Sequence, residues 1–290
     1  MLSPTAAAKV TNASEALGVI DGLYLFYLAA MALLACLRLP GWPRMVLLHA
    51  VIAAVILLLA ARARHSRIAA FLHQWYPLAM FIFSFEEVAR FSLAISSQWQ
   101  DPHIIGFEAH LFKVSPNLWL GRFTSPWLSE LMDMGYFSYY PMFPVVGGLI
   151  YAREDKSVFR RLVLSAVFMY FISFAVYLGF PTEGPRHALS NFHLPPDGAI
   201  FSWLVQTIQG GAGVHGNAFP SSHVALAVIC TAFAWRYLSR TRSLFTICTC
   251  LICLSAVYDG YHYLSDVVAG ALMGWAAMGC AGRDSSPRRT

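Results

Sequence analysis

Apolar residues in this chain gather in runs of about twenty, separated by short polar stretches. A bilayer core about 30 Å thick needs about 20 helical residues at about 1.5 Å each. Eight runs meet that length: roughly 17–37, 45–61, 68–97, 125–151, 160–180, 220–239, 243–261 and 263–281. The third and fourth carry internal polar residues, so their ends are soft. The last two nearly touch at Tyr261 and His262, which predicts a tight turn at one membrane face. Two segments between runs are long. Residues 98–124 pair Asp101-Pro102 with Ile104, Ile105, Phe107, Leu111 and Phe112, the pattern of an amphipathic helix in the membrane interface. Residues 181–219 are rich in Pro and Gly and carry three His; a loop of that length is usually functional or disordered.

Composition turns the pattern into a fold class. Of the 290 residues, 58% are hydrophobic and 12% charged. An average soluble domain has about 45–50% and about 25%. That charge is too sparse to cover a soluble surface, and the hydrophobicity is too high for disorder. The prediction is an all-α polytopic transmembrane bundle of about eight spans. Assigning alternate loops to opposite sides puts 14 of the 20 Lys and Arg residues on one side. By the positive-inside rule that side is cytoplasmic and holds both termini. Met1–Glu15 lacks a signal-peptide layout, so the first run is expected to stay attached. The six Cys, including Cys250-x-x-Cys253, all lie within apolar runs and read as helix packing rather than zinc or redox sites.

Against this background the polar residues on the other face stand out. Phe219-Pro220-Ser221-Ser222-His223 leads into an apolar run. Pro and Ser suit a helix start, whose free N–H groups favour phosphate; Ser221 and Ser222 are therefore candidate phosphate binders. His262 and Asp266 are spaced i,i+4, one helix face, where a carboxylate fixes an imidazole's tautomer. The span ending at Phe180 delivers Pro181-Thr182-Glu183-Gly184-Pro185-Arg186 to the same side, and the Arg186 fork matches phosphate. Two His, one Asp and one Arg thus converge from three chain regions at one depth.

These residues carry a resemblance. Pro220-Ser221-Ser222-His223 and His262-x-x-x-Asp266 resemble the second and third motifs of the type 2 phosphatidic acid phosphatase superfamily. The wider stretches Asn217–Ala225 and His262–Gly270 are similar to its aureobasidin-resistance, inositol phosphorylceramide synthase-like branch. Pro181-Thr182-x-x-Pro185-Arg186 occupies the place of that branch's first motif, and the resemblance runs over residues 80–280. Two phosphatase cations are missing: Gly179 stands seven residues before Arg186, and Ala256 six before His262. That departure favours the synthase-like branch and leaves Arg186 as the chief cation. The resemblance implies a six-helix catalytic core. The expected layout is an N-terminal helix pair over 1–67, a catalytic membrane domain over 68–283 and a cytoplasmic tail over 284–290.

It also implies a phosphohistidine mechanism. His262 is the nucleophile, Asp266 its orienting partner, and His223 the general acid and then base. Arg186 and the N–H groups after Pro220 hold the phosphoryl oxygens. No cofactor or metal is called for. The substrates implied are a phospholipid donor and a lipid alcohol acceptor within the bilayer, with no nucleic acid; water as acceptor gives a lipid or polyprenyl phosphate phosphatase instead. Candidate substrate contacts are His215, Asp259, Lys113, Asp133 and Glu87, and Arg122 lies on the same side. Each has a plain alternative, such as a loop His for His215 or a solvated interfacial Asp for Asp259. Glu86 and Arg90 either neutralise each other at i,i+4 or serve a head group. Tyr136, Tyr139 and Tyr140 are placed to line the same cavity. A transporter is disfavoured because no internal repeat is seen, and a soluble haloperoxidase relative by the spans.

Overall fold

The structure, a computed structural model, describes residues 4–96, 98–153, 156–212 and 216–280. The described residues form helices and connecting turns, with no strand. In order these are α1 (Pro4–Arg38), α2 (Trp42–Arg62), α3 (Arg67–Ile95), α4 (Asp101–Phe112), α5 (Pro116–Leu120), α6 (Pro126–Phe137), α7 (Tyr139–Ala152), α8 (Lys156–Gly179), α9 (Pro185–Ala188), α10 (Ile200–Ala212), α11 (Ser222–Tyr237), α12 (Arg242–Tyr258) and α13 (Leu264–Cys280). Every expected apolar run coincides with a helix or, for 125–151, with the pair α6 and α7. Among the described residues four helices are long and apolar enough to cross a membrane: α1 from Gly18, α2, α3 to Ser92, and α8. α12 and α13 are apolar but shorter.

The bundle is built around α8, which is buried along most of its length and packs against α1, α3, α7, α11 and α13. α2 is the opposite case. Leu47, Leu48, Val51, Val55, Leu57 and Leu58 all face outward from it. So many exposed branched apolar side chains on one helix are the mark of a lipid-facing surface. α11 and α13 pack closely, because Gly270 and Gly274 of α13 face α11; a Cβ on them would come within 2.3 and 2.5 Å of the Ser221 and Ala225 carbonyls, respectively. Small residues four apart are what allow helix backbones to approach this closely in a membrane.

Three local expectations change. The run 125–151 breaks at Ser138, whose hydroxyl donates to the Gly135 carbonyl at 2.6 Å. The loop 181–219 holds two helices: short α9 carries Arg186, and amphipathic α10 packs on α6. α10 is docked because Glu130 on α6 accepts the N–H groups of Ala199 and Phe201 at 2.6 and 3.0 Å, capping its start. Finally, α12 ends at Tyr258, three residues before the expected boundary. Gly260 there has φ +70°, a left-handed conformation that side chains resist and that stops the helix. α13 begins only at Leu264, so His262 sits in the turn 259–263, where the near-contact of the last two runs predicts one, and not on a helix face shared with Asp266.

Candidate active site

α11 begins with a capped turn. Ser221 is the cap, its Oγ accepting the Val224 N–H at 3.3 Å, while its own N–H donates to the Asp266 carbonyl at 3.0 Å. This places His223 in the first turn of α11, at the mouth of a cavity of about 850 Å³. Phe85, Tyr136 and Tyr139 surround its ring, with Tyr139 at 4.3 Å between centroids. His223 Nδ1 is buried and has no hydrogen-bond partner among the described residues.

His262 faces His223 across the cavity, with ring centroids 5.7 Å apart. Its Nδ1 lies 2.8 Å from the Ala218 carbonyl. A carbonyl only accepts, so that nitrogen carries the proton and the Nε2 lone pair is left for chemistry. Asp266 is fully buried, and its Oδ2 accepts the Tyr263 N–H at 2.8 Å while standing 3.5 Å from His262 Nδ1. The i,i+4 spacing is therefore realised across a helix start and not along a helix. The hydrogen bond that orients His262 comes from Ala218, and Asp266 acts on the imidazole by charge at slightly longer range. This corrects the expected single-face pairing; the cause is that α13 begins only at Leu264, two residues after His262.

Arg186 lines the same cavity. Its N–H donates to the Gly260 carbonyl at 3.0 Å and its Nε to the Asp259 carbonyl. The guanidinium rests 3.8 Å above the Tyr261 ring, which is stacked in turn on Tyr136 at 4.4 Å. These contacts fix the fork in place and leave its Nη groups without a hydrogen bond to the described residues. Below the polar mouth the wall becomes apolar, with Leu78, Phe81 and Ile82 of α3 and Phe143 and Pro144 of α7.

The other expected residues divide. Tyr136, Tyr139 and Tyr140 line the cavity as expected, and Gln209 of α10 bridges the Tyr136 and Tyr140 hydroxyls at 3.4 and 3.3 Å. Ser221 and Ser222 are buried and off the cavity wall. Asp133 is bonded to the Ser202 hydroxyl and Asp259 is buried, with Oδ2 unpartnered among the described residues; neither lines the cavity. In the turn beyond α12, burial pushes the Asp259 carboxyl well above its ordinary pKa, the nearby Asp133 adds to this, and Arg186 opposes it. Lys113 and Arg122 are exposed on other elements, Lys113 as the left-handed cap of α4. Glu87 is corrected: it turns to Tyr27 at 2.7 Å and His49 at 2.9 Å on the N-terminal helices, and its neighbour Glu86 takes the cavity side. Consecutive helix residues point about 100° apart, so only one of the pair can face inward. His215 lies outside the described residues. No group of three metal-ligating side chains occurs among the described residues.

Three buried polar residues beside the site escaped the sequence reading: Asp101, Glu108 and Asn117. Asn117 Nδ2 donates to the carbonyls of Val257 and His262 at 2.7 and 3.0 Å. Asp101 and Glu108 accept from the first and third motif segments. The sequence did hold a signal: Asp101, Ile104 and Glu108 lie at i, i+3 and i+7, one buried face of α4.

The chain matches the PAP2 superfamily over residues 103–280. It is 26% identical over 162 residues to a phosphoinositol dihydroceramide synthase of Bacteroides thetaiotaomicron, covering 48% of this chain and 52% of the relative. It is 28% identical over 115 residues to a PA-phosphatase related-family protein of Dictyostelium discoideum, covering 38% and 21%. The chain thus spans about half of the first relative's length and about a fifth of the second's. The crystal structure of Aquifex aeolicus LpxE superposes with TM-score 0.46 and 17% identity, over 57% of this chain and 91% of that one. The matched stretch takes in more than half of the chain and all of His223, His262, Asp266 and Arg186: the chain belongs to the PAP2 superfamily.

Proposed function

We propose that the protein is an integral membrane lipid phosphotransferase. It moves a phosphorylated head group from a phospholipid donor to the hydroxyl of a lipid acceptor. The observation that carries this reading is the facing pair His223 and His262, 5.7 Å apart over one cavity, with Arg186 fixed on its wall. His262 Nε2 attacks phosphorus, and the P–O bond to the departing lipid breaks. His223, protonated, gives its proton to the leaving oxygen. Arg186 holds the non-bridging oxygens, and Asp266 offsets the charge that the phosphorylated imidazole gains. In the second half His223 takes the proton of the acceptor hydroxyl, whose oxygen then displaces His262 from phosphorus.

The relative named for phosphoinositol and dihydroceramide supports a polyol head group and a ceramide-type acceptor. The apolar wall beneath the histidines suits a lipid acceptor. A hydrolase is the second reading, because water in the acceptor position completes the same cycle and the Dictyostelium relative is named for phosphatidic acid phosphatases. The Lys and Arg distribution supports a cytoplasmic location for both termini and an extracytoplasmic site. The deciding measurement uses purified protein and labelled phospholipid, with and without ceramide or diacylglycerol. New labelled lipid that requires the alcohol is expected; release of free phosphate or free phosphorylated head group alone makes it a hydrolase. For orientation, a cysteine at Asn191 should react with an impermeant reagent from outside; labelling only from the cytoplasm reverses the topology.

A further inference from the structure

One carboxylate joins the two halves of the site. Asp101 opens α4 and is 2% exposed. Its Oδ2 accepts the Glu183 N–H at 2.8 Å, and its Oδ1 accepts the Gly184 N–H at 2.9 Å. Those two residues lead directly into Pro185-Arg186. The same Oδ1 accepts the Tyr263 hydroxyl at 3.0 Å, and Tyr263 follows His262. A single side chain thus bonds both the strand of chain that carries the phosphate-binding cation and the turn that carries the nucleophile.

The rest of α4 and α5 reinforces that link. Two turns further on, on the same face, Glu108 Oε1 accepts the Ser265 N–H and hydroxyl at 2.7 and 2.8 Å, capping α13. Asn117 holds the His262 carbonyl. The opposite face of α4 is apolar and outward, with Phe107 and Leu111 58% and 56% exposed. That face suits an interfacial seat in the bilayer. The segment is therefore anchored on one side and bonded to the catalytic turn on the other.

We propose that Asp101 is a positioning residue that keeps Arg186 and His262 in register for phosphoryl transfer, acting through Tyr263 and the 183–184 backbone. It touches no substrate. A buried carboxylate with three donors makes charge-assisted hydrogen bonds, which are about twice as strong as neutral ones and so resist displacement of the groups they hold. In-line attack is sensitive to displacements of about 1 Å, worth about 10²-fold in rate, so such stiffness has a direct catalytic consequence. The proposal rests on the roles given above to His262 and Arg186.

The test is a double-mutant cycle on the full-length protein in detergent or nanodiscs. Tyr263→Phe removes one hydrogen bond and leaves both backbone bonds of Asp101. It should lower kcat about 10-fold with KM little changed, since a geometric fault acts on the transition state. Asp101→Ala removes all three acceptor bonds and should lower kcat about 10²-fold. The double variant should be no slower than Asp101→Ala alone, because Tyr263→Phe then removes a hydrogen bond that is already gone. Affinity for orthovanadate, read by thermal shift, should weaken in the same order. Wild-type kcat in Tyr263→Phe overturns the proposal. So do multiplicative losses in the double variant, or losses that appear only in melting temperature while folded protein turns over normally. A wild-type protein without turnover, yet with vanadate affinity that follows the same cycle, refutes the proposed activity and leaves the positioning role standing.

Discussion

Two regions of this molecule bury ionisable side chains among apolar helices, and they do so differently. On the N-terminal helices, Glu87 is closed in by Tyr27 and His49, and Asp21 by His73 and Tyr76 at 3.0 and 2.8 Å. Each charge there meets partners from another helix; Asp21 and His73 border a smaller cavity of about 310 Å³, and none of these groups lines the cavity at His223 and His262. Around the turn 259–263 the arrangement is open. His223 keeps a buried nitrogen without a partner, and Asp259 a buried oxygen. Arg186 keeps its fork toward the cavity, and His262 keeps one ring nitrogen for reaction. Burial of a charge in a membrane is costly in both places. The N-terminal clusters offset the cost by internal pairing and serve packing. The other region leaves the cost partly uncompensated, which is the condition for binding a charged substrate.

The sharpest way to break this comparison is at the open end. His262→Ala should lower kcat by at least about 10⁴-fold, as loss of a nucleophile does, while the protein still inserts and melts normally. Turnover at the wild-type rate by purified His262→Ala would sink the covalent scheme. Arg186→Lys comes next. It keeps the charge and loses the fork and the stacking on Tyr261, so kcat/KM should fall about 10²-fold. Retention of full activity would show that charge alone suffices there.

Glu87→Leu tests the closed end. It strands His49 and Tyr27 and should cost about 3 kcal/mol of stability, with kcat of the folded protein unchanged. Adding His49→Leu should restore most of the lost melting temperature, since two apolar groups need no partner; a loss of turnover without a loss of stability would move Glu87 into the functional region. Glu86→Gln is the smallest expected effect. Glu86 lines the cavity and sits 3.5 Å from exposed Arg90, so neutralising it should change KM a few-fold and leave melting unaltered. A large kcat effect would place a carboxylate in the chemistry that the present scheme does without.

How much of this was legible beforehand follows from the range of each signal. Hydropathy runs and the cap at Ser221 act within one helix or one turn, so the order of helices and the two histidine motifs can be read directly. The break at Ser138 and the amphipathic α10 are not legible in this way, because α6–α7 reads as one continuous run and α10 lies within a Pro/Gly-rich stretch. The i,i+4 spacing of His262 and Asp266 suggests a shared helix face, but α13 starts only at Leu264, with the Tyr263 N–H held by Asp266 and its hydroxyl by distant Asp101.

The sequence by itself determined an all-α membrane protein, and it brought Arg186, His223, His262 and Asp266 to one face. These are consequences of apolar length and of crossing parity, which need no knowledge of packing. Tertiary structure alone decided which of Glu86 and Glu87 faces the cavity, and that Ala218 orients His262. It alone decided that Asp101 grips Tyr263 from 162 residues away. One residue of helix rotation or one distant hydrogen bond leaves no trace in local composition, because each depends on how whole helices seat against one another.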